Sequence, residues 1–323
     1  MSETINVVSV IDANYIAQIE VIATSIAAHA KGDRRIVYHV LYQGPDDEAA
    51  RRLAAFRRGP LEVVLHPTSN PLASIGQRGY ISSAQFLKFA IADTLSDISK
   101  ALFLDADVLV LKDVAELYDT QLGELSAAVV RDPPAMRRYR EDEIMVVGEN
   151  RFTLRTYFPE VLGLPVPDIY DAYFNAGVML LNLDQLRHDR FSDSAVDMVR
   201  RLHDRMVWRD QDVFNTLLFG KTMLVDGRWN VLNSLFWNPA VAGDDPEMQT
   251  MVEQQRRDPW LVHFVSGLKP WRARARYSFK PVWWHFAEQT PDIRRLRRDH
   301  FWDAFVRLLP LFPPKSSAEP YEY

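Results

Sequence analysis

Short apolar runs alternate along this chain with segments of helical periodicity, and this alternation constrains the fold more than any other feature. The runs are four to seven residues long and rich in Val, Ile, Leu and Phe. Between them, as in 16–30, 46–58, 83–95 and 194–206, apolar residues recur every three or four positions, the spacing of one helix face. Such alternation is typical of an α/β protein with helices flanking a mostly parallel sheet. The predicted strands are VVSVI (7–11), IVYHVLY (36–42), LEVVLH (61–66), ALFLD (101–105), AAVV (127–130), GVMLLNL (177–183), MLVD (223–226) and WLVHF (260–264).

Two aspartates interrupt the apolar stretch KALFLDADVLVLKD (100–113) where a predicted strand ends. Open α/β sheets bind ligands outside the carboxyl ends of their strands. Residues two apart in a strand project to the same side, so the carboxylates of Asp105 and Asp107 would repel each other there. A divalent cation such as Mg²⁺ or Mn²⁺ removes this repulsion because it prefers oxygen ligands. Alternatively, Asp105 only ends the strand, and Asp107 or Asp113 caps a following helix.

Composition excludes several functional classes. The net charge of -5 argues against nucleic acid as a partner, since binding a phosphate backbone requires a basic surface. The absence of cysteine excludes disulfides, thiolate metal sites and a thiol nucleophile, and fits a reducing cytoplasm. The start MSETINVVSVID lacks signal-peptide features, and no later run approaches the ~18 apolar residues of a membrane span. We therefore expect a soluble, cytoplasmic protein.

Two stretches depart from the alternation. Residues 133–172 are rich in Arg, Glu, Pro and Tyr, which predicts an insertion or lid. Residues 271–323 are basic and aromatic and predict a C-terminal helical extension, separate from a domain at 1–270. Basic and aromatic residues at helical spacing predict peripheral contact with an anionic membrane through 271–312. The alternative is a packed terminal helix with a solvated basic face.

The D-x-D pattern also occurs in aspartyl phosphatases and phosphotransferases of the haloacid-dehalogenase type, where the first aspartate is the nucleophile. That interpretation makes Asp105 the nucleophile and requires Thr or Val two places after Asp107. Leu109 occupies that place, and at least three predicted strands precede the motif, which usually lies near the N-terminus. The phosphatase hypothesis is therefore the weaker alternative.

Six ordered motifs give the stronger interpretation. They are VIDANY (10–15), FLK (86–88), FLDADVLV (103–110), YFNAGVMLLNL (173–183), WRDQDVFN (208–215) and VHFVSGLKPW (262–271). Together, in order, spacing and content, they resemble glycosyltransferase family 8 over about residues 5–271, and most closely its bacterial lipopolysaccharide galactosyl- and glucosyltransferases. The resemblance implies a GT-A type nucleotide-sugar-binding fold, with the catalytic domain at 1–270 and the insertion at 133–172 near the acceptor cleft.

The resemblance implies a donor site residue by residue. Asp12, Asn14 and Tyr15 would hold uracil, although Asn14 and Tyr15 also suit an ordinary loop. Lys88 stands where the family usually carries an arginine; lysine keeps the charge but loses the bidentate fork. The alternative for Lys88 is a solvent-facing position on a helix. Asn175 would hydrogen-bond the donor sugar. The implied substrate-binding residues are Asp12, Asn14, Tyr15, Lys88, Ala106, Asn175, Ala176, Gly177, Gly267 and Lys269.

A metal site is also implied by the resemblance. His263 would be the third ligand beside Asp105 and Asp107, although a lone histidine after an apolar run also suits a core position. A mixed nitrogen and oxygen set favours Mn²⁺ over Ca²⁺, with Mg²⁺ as an alternative. Lys269 would pair with the donor diphosphate as a point charge.

The implied reaction is transfer of galactose or glucose from UDP-galactose or UDP-glucose to a saccharide or glycolipid acceptor such as lipopolysaccharide. The implied catalytic residues are Gln211, Asp210 and Asp132. Family 8 enzymes retain anomeric configuration, and a covalent route would need a carboxylate nucleophile. Gln211 is an amide, so we expect front-face attack, with Asp210 as nucleophile the weaker alternative. A catalytically silent nucleotide-sugar binder is a further alternative.

Overall fold

Strands and helices alternate through the chain, and each of the eight predicted runs coincides with a strand. The structure is a computed structural model, and it describes residues 3–75, 83–165, 172–265, 267, 269–276 and 278–305. The strands are β1 (Ile5–Asp12), β2 (Ile36–Gln43), β3 (Arg57–Arg58), β4 (Leu61–Pro67), β5 (Lys100–Leu104), β6 (Val108–Val110), β7 (Ala127–Arg131), β8 (Ile144–Val147), β9 (Asn150–Thr153), β10 (Phe174–Asn182), β11 (Thr222–Leu224), β12 (Val231–Leu232) and β13 (Leu261–His263).

Helices and helical turns occupy most of the connections between strands. The α-helices are α1 (Ile16–His29), α2 (Glu48–Ala54), α3 (Ile91–Thr94), α4 (Ala115–Tyr118), α5 (Pro133–Arg140), α6 (Leu154–Thr156), α7 (Leu183–His188), α8 (Phe191–Leu202), α9 (Asp210–Leu217), α10 (Pro246–Arg257), α11 (Lys280–Ala287) and α12 (Ile293–Phe305). Tighter 3-10 turns lie at Ala13–Tyr15, Ser83–Ala90, Gly227–Asn230, Asn233–Phe236 and Pro239–Ala242, and a wider helical turn lies at Tyr157–Leu162.

Within the described residues, the central sheet has eight strands in the order β11-β7-β10-β5-β1-β2-β4-β3. Strand β1 pairs in parallel with β2 and β5, and β4 continues the parallel arrangement. The predicted α/β fold with a mostly parallel sheet is confirmed. Strand β10, however, runs antiparallel to both β5 and β7. Its first residues, rather than its last, therefore lie beside the carboxyl end of β5, and the Asp105 amide donates to the Gly177 carbonyl at 2.8 Å.

A smaller sheet brings a distant segment to the same edge. Its strands have the order β12-β13-β6, and His263 in β13 pairs with Val108 in β6. The Phe264 amide donates to the Asp107 carbonyl at 2.9 Å. This pairing places His263 next to the two aspartates although it is more than 150 positions away in the sequence.

The C-terminal helices pack against the outer face of α1. Trp283, Phe286 and Leu296 form a buried cluster with Ala17 and Val21. The predicted helical extension is thus present over the described part of 271–323, while 306–323 lie outside the described residues. Among the described helices, none combines the length and the apolar character that crossing a bilayer requires.

A partly buried ion pair also connects these helices. Glu20 of α1 is buried, and its carboxylate accepts from Arg52 of α2 at 3.0 Å and from the Asp292 amide at 3.2 Å. Arg52 also contacts the Asp292 carboxylate at 2.8 Å. Arg52 therefore links three helical regions, since Asp292 directly precedes α12.

The insertion forms ordered structure that belongs to the main core. It contains α5, the β8–β9 hairpin and α6. Tyr139 and Phe158 stack with ring centroids 5.7 Å apart, and Phe158 contacts Tyr173 at 5.1 Å. These rings belong to the same buried cluster as the β1 and β5 side chains Val8 and Phe103. Residues 166–171 of the predicted insertion lie outside the described residues.

Candidate active site

A cavity of about 240 Å³ opens at the sheet edge where β1 and β5 end and β10 begins. Most of the predicted site residues line it. Asn14 and Gly267 are exposed and are not part of its lining. The predicted residues that line the cavity are Asp12, Tyr15, Lys88, Asp105, Ala106, Asp107, Asp132, Asn175, Ala176, Gly177, Asp210, Gln211, His263 and Lys269.

Asp105, Asp107 and His263 converge in this cavity. Asp105 follows β5, Asp107 precedes β6, and His263 ends β13. The His263 Nε2 atom lies 3.1 Å from Asp107 Oδ1 and 3.6 Å from Asp105 Oδ2. One ligand atom from each residue lies within 4.8 Å of the other two. The three side chains can thus face a single ion.

Gly177 leaves the space that this cluster needs. A Cβ atom added to Gly177 would lie 2.6 Å from His263 Nδ1 and 2.9 Å from Asp105 Oδ2, closer than real Cβ contacts allow. Only glycine therefore accommodates both side chains at this point of β10. Two carboxylates and one imidazole are ligands that suit Mn²⁺ or Mg²⁺. Asp105, Asp107 and His263 therefore have the ligand types and the mutual distances that a divalent cation requires.

Two buried lysines flank the aspartates. Lys269 Nζ lies 2.5 Å from Asp107 Oδ2 and 2.5 Å from the Phe264 carbonyl oxygen. Lys88 Nζ lies 2.9 Å from Asp105 Oδ1 and 2.5 Å from Asp210 Oδ2. Because Lys88 is only 5% exposed, the alternative of a solvent-facing lysine is wrong. Lys88 instead joins an aspartate of the cluster to the first residue of α9.

The electrostatic environments of the two aspartates differ. Burial raises the pKa of Asp105, and the neighbouring Asp107 adds to this effect, while Lys88 opposes it. Burial acts in the same direction on Asp107, but Lys269 and His263 outweigh it and hold the pKa of Asp107 well below its ordinary value. Burial alone would lower the pKa of Lys88, but Asp105 and Asp210 raise it. The site therefore keeps Asp107 and Lys88 charged at neutral pH.

A second cluster lies where the sugar-facing residues were predicted. Asp132 caps α5, since its Oδ1 accepts from the Ala135 amide at 2.9 Å. Its Oδ2 accepts from Gln211 Nε2 at 3.0 Å and from Asn175 Nδ2 at 3.3 Å. Gln211 Oε1 accepts from Asn175 Nδ2 at 3.0 Å and from the Ala176 amide at 3.3 Å. The structure brings Asp132, Asn175 and Gln211 together, whereas Asp210 faces Lys88.

Helix α9 is held in place by two polar residues in its first two turns. The buried Asp212 carboxylate accepts from the hydroxyls of Tyr157 and Tyr173 at 2.7 and 2.9 Å and from the Trp208 amide at 2.7 Å. Burial raises the pKa of Asp212 to about 6, although these hydrogen bonds oppose the increase. Asn215 donates to one backbone group of Phe174 and accepts from the other, both at 2.9 Å. These contacts fix the helix against the start of β10.

The end of β1 forms the other wall of the cavity. The Asp12 side chain accepts from the Asn14 amide at 2.9 Å and so begins the turn Ala13–Tyr15. The ring of Tyr15 meets that of Trp271 edge-on, with centroids 6.0 Å apart. Burial raises the pKa of Tyr15 well above its ordinary value, so the hydroxyl stays protonated. Asp12 and Tyr15 line the cavity, while the Asn14 side chain does not.

Several residues of the site were not predicted from the sequence. Gln85, Arg138, Trp208 and Arg209 also line the cavity. Trp208 and Arg209 belong to the motif that contains Asp210, and Gln85 directly precedes FLK, so their proximity to these motifs was a usable signal. Arg138 lies in the insertion and outside every motif, and no sequence signal marks it.

The fold is of the GT-A type, as its similarity to two solved glycosyltransferase structures shows. A structure titled galactosyltransferase LgtC in complex with donor and acceptor sugar analogs superposes with a TM-score of 0.69 at 25% identity, covering 89% of this chain and 96% of that one. The bifunctional glycosyltransferase WbbM superposes with a TM-score of 0.77 at 18% identity, over 92% of this chain and 52% of that one.

The chain belongs to glycosyl transferase family 8, whose model matches residues 6–275. General stress protein A of Bacillus subtilis is 22% identical over 89% of this chain and 94% of its own length. Two relatives are similar over 85% of this chain and 75% of their own lengths. They are the lipopolysaccharide 1,3-galactosyltransferase of Salmonella typhimurium at 24% identity and the lipopolysaccharide 1,2-glucosyltransferase of Escherichia coli at 26%. The predicted family is confirmed.

Proposed function

We propose that this protein is a metal-dependent, retaining hexosyltransferase that moves galactose or glucose from a UDP-sugar to a hydroxyl group of a saccharide acceptor such as lipopolysaccharide. The observation that carries the proposal is the convergence of Asp105, Asp107 and His263 next to the cluster of Asp132, Asn175 and Gln211. The first group suits a cation and a diphosphate, and the second suits the hydroxyls of a sugar. Family membership and the names of the relatives support the same assignment.

In this proposal the donor lies along the cavity from Tyr15 to Gln211. Asp105, Asp107 and His263 would hold Mn²⁺, or Mg²⁺ in its place. The bound cation would supply electrostatic stabilisation of the charge that develops on departing UDP. Lys269 adds a fixed positive charge beside Asp107, and Tyr15 offers a ring against which uracil can stack. Asn14 does not line the cavity, and we assign it no contact with the donor.

Front-face attack agrees best with the positions of Asp210 and Gln211. A covalent intermediate would need a free carboxylate, but Asp210 lies 2.5 Å from the ammonium of Lys88, and this ion pair reduces its nucleophilicity. Gln211 is an amide whose orientation is fixed by Asp132 and Asn175. We therefore assign Gln211 to stabilising the positive sugar, while the leaving phosphate oxygen accepts the proton of the acceptor hydroxyl.

Calorimetry of UDP binding tests this function first. We expect UDP to bind in the presence of Mn²⁺ and to bind much more weakly after chelation. UDP-galactose and UDP-glucose are then compared by their slow hydrolysis without acceptor, which a catalytically silent binder would not show. Failure of the folded protein to bind UDP with Mn²⁺ would overturn the proposal. Phosphate release from phosphomonoesters that UDP does not inhibit would restore the phosphatase alternative.

We also propose that α12 contacts an anionic membrane surface, where a lipid-linked acceptor would lie. Phe301, Trp302 and Phe305 are 60%, 52% and 37% exposed and touch one another, with centroids 5.5–6.0 Å apart. Exposed arginines, including Arg297 and Arg298, share this helix. Exposed aromatic residues beside basic ones are typical of helices that lie at a membrane interface.

The variant Phe301→Ser/Trp302→Ser is expected to bind anionic vesicles about tenfold more weakly, since two interfacial anchors are lost. Co-sedimentation with phosphatidylglycerol vesicles measures this change. Trp237→Ser, at a second exposed tryptophan outside α12, is the matched control and should bind like the wild type. Equal binding of all three proteins, or equal binding to phosphatidylcholine, would contradict the proposal.

A further inference from the structure

His263 has a hydrogen-bond partner on the side away from the aspartates. Asn230 is buried at the end of the turn Gly227–Asn230, and its Oδ1 lies 3.0 Å from His263 Nδ1. The other end of the same amide, Nδ2, donates to Asn175 Oδ1 at 2.9 Å. Asn230 thus stands between the His263 imidazole and the Asn175 side chain, and no sequence motif includes it.

The Gly177 backbone amide fixes the direction of the hydrogen bonds that link Asn175, Asn230 and His263. The Gly177 amide donates to Asn175 Oδ1 at 3.0 Å, and a backbone N–H can only donate, so this Asn175 atom is the carbonyl oxygen. The Asn230 atom that faces this oxygen must then be the amide nitrogen. The remaining Asn230 atom is the carbonyl oxygen, which only accepts.

It follows that His263 carries its proton on Nδ1 when the ring is neutral. The Nε2 lone pair is then free and faces Asp105 and Asp107, at 3.6 and 3.1 Å. This is the tautomer that can bind a metal through Nε2. A partner that accepts from the distal N–H of a metal-binding histidine fixes both its tautomer and its ring orientation.

We propose that Asn230 is a positioning residue that holds His263 in the tautomer able to bind the cation and couples it to the sugar-facing residues. The coupling runs from His263 through Asn230 to Asn175, and from there to Gln211 and Asp132. Any displacement of the His263 ring would therefore reach the amide of Asn175 through Asn230. The inference rests on the proposed function only for the identity of the bound cation and sugar.

Two measurements on the protein without nucleotide test the role of Asn230. The first is the tautomer of His263 in the metal-free protein, from long-range proton–nitrogen NMR spectra of protein labelled with ¹⁵N-histidine. A His263→Asn variant identifies the His263 signals. The second is the affinity for Mn²⁺, from the electron paramagnetic resonance signal of free Mn²⁺. Neither measurement depends on UDP or on transfer activity.

Three variants separate positioning from a general structural effect. Asn230→Ala removes both hydrogen bonds and is expected to weaken Mn²⁺ binding about 10–100-fold, with loss of the single Nδ1–H tautomer. Asn230→Asp keeps an acceptor for His263 and should keep the tautomer, although its second oxygen faces Asn175 Oδ1. Asn233→Ala is the matched control, because Asn233 is equally buried but accepts from the Val265 amide at 3.1 Å. The Asn233→Ala variant should retain both the Nδ1–H tautomer of His263 and the wild-type affinity for Mn²⁺.

Distinct results would overturn the inference. A neutral wild-type His263 ring that carries its proton on Nε2 instead of Nδ1 would do so whether or not Mn²⁺ binds. Unchanged Mn²⁺ affinity and an unchanged His263 tautomer in Asn230→Ala would also overturn it. So would an equal loss of Mn²⁺ affinity in Asn230→Ala and Asn233→Ala with the His263 tautomer retained in both. If Asn230→Ala fails to fold, Asn230→Asp decides, because loss of the Nδ1–H tautomer there contradicts the proposal. Failure to bind UDP, with these two results as expected, would count against the proposed function alone.

Discussion

An Asp105→Asn/Asp107→Asn variant is expected to lose Mn²⁺-dependent binding of UDP and about a thousandfold of any transfer rate. The reason is that amides remove both anionic ligands while leaving the side-chain volume unchanged. Cation stabilisation of a leaving group amounts to several kcal/mol, and each ~1.4 kcal/mol corresponds to a tenfold change in rate. Calorimetry with UDP and Mn²⁺, followed by an assay of UDP release, measures both effects.

This substitution is also designed to leave the fold intact. Lys88 keeps Asp210 as a partner at 2.5 Å, and Lys269 keeps the Phe264 carbonyl at 2.5 Å, so neither ammonium loses its last partner. Asp119→Asn, in an exposed ion pair with Arg34, is the control for the chemical change itself. A double variant that binds UDP with undiminished dependence on Mn²⁺ would show that the cation lies elsewhere.

Replacement of Lys88 by methionine is expected to lower the free energy of unfolding by about 3–5 kcal/mol at neutral pH in the absence of metal, because it breaks a buried ion pair on one side. Lys88 is the shared partner of Asp105 and Asp210, at 2.9 and 2.5 Å. Methionine keeps an unbranched side chain only one atom shorter than lysine but leaves both carboxylates without this cation. Urea unfolding followed by circular dichroism measures the change.

A double-mutant cycle isolates the ion pair from the loss of packing. Lys88→Met/Asp210→Asn removes both members of one pair and should recover part of the lost stability, since one uncompensated charge is gone. Lys88→Arg keeps the charge and should cost less stability than Lys88→Met. If Lys88→Met is as stable as the wild type, then the lysine does not compensate these carboxylates. If the changes in the free energy of unfolding of the two single variants add up to that of the double variant, Asp210 and Lys88 contribute to stability independently.

The strands were predictable because each apolar run is bounded by polar or turn-forming residues. The direction of β10 was not predictable, since the spacing of apolar residues along a strand is the same in parallel and antiparallel pairs. This direction matters for the site, because it brings the residues Asn175–Gly177 beside Asp105. The sequence order of the motifs alone did not require that contact.

The contacts that organise the site are mostly long-range. Asn230 is 33 positions from His263 and 55 from Asn175, so neither contact leaves a local signal in the sequence. Lys88 was predicted to contact the donor, but its pairing with Asp105 and Asp210 depends on how the turn Ser83–Ala90 packs against α9. The chemical type of a site residue can be predicted from a motif. The residue that compensates its charge depends on tertiary packing and cannot.

The contacts of Asp212 bear on how freely the insertion can move relative to α9. One carboxylate ties Tyr157 of the insertion and Tyr173 before β10 to α9, so these three segments form a single mechanical unit. Swinging the insertion outward would rupture these bonds and separate the stacked rings of Tyr139 and Phe158 from the core. Moving the insertion away from α9 would therefore cost at least the hydrogen bond from Tyr157 to a buried carboxylate, so the described contacts favour movement of the insertion, Tyr173 and α9 as one body.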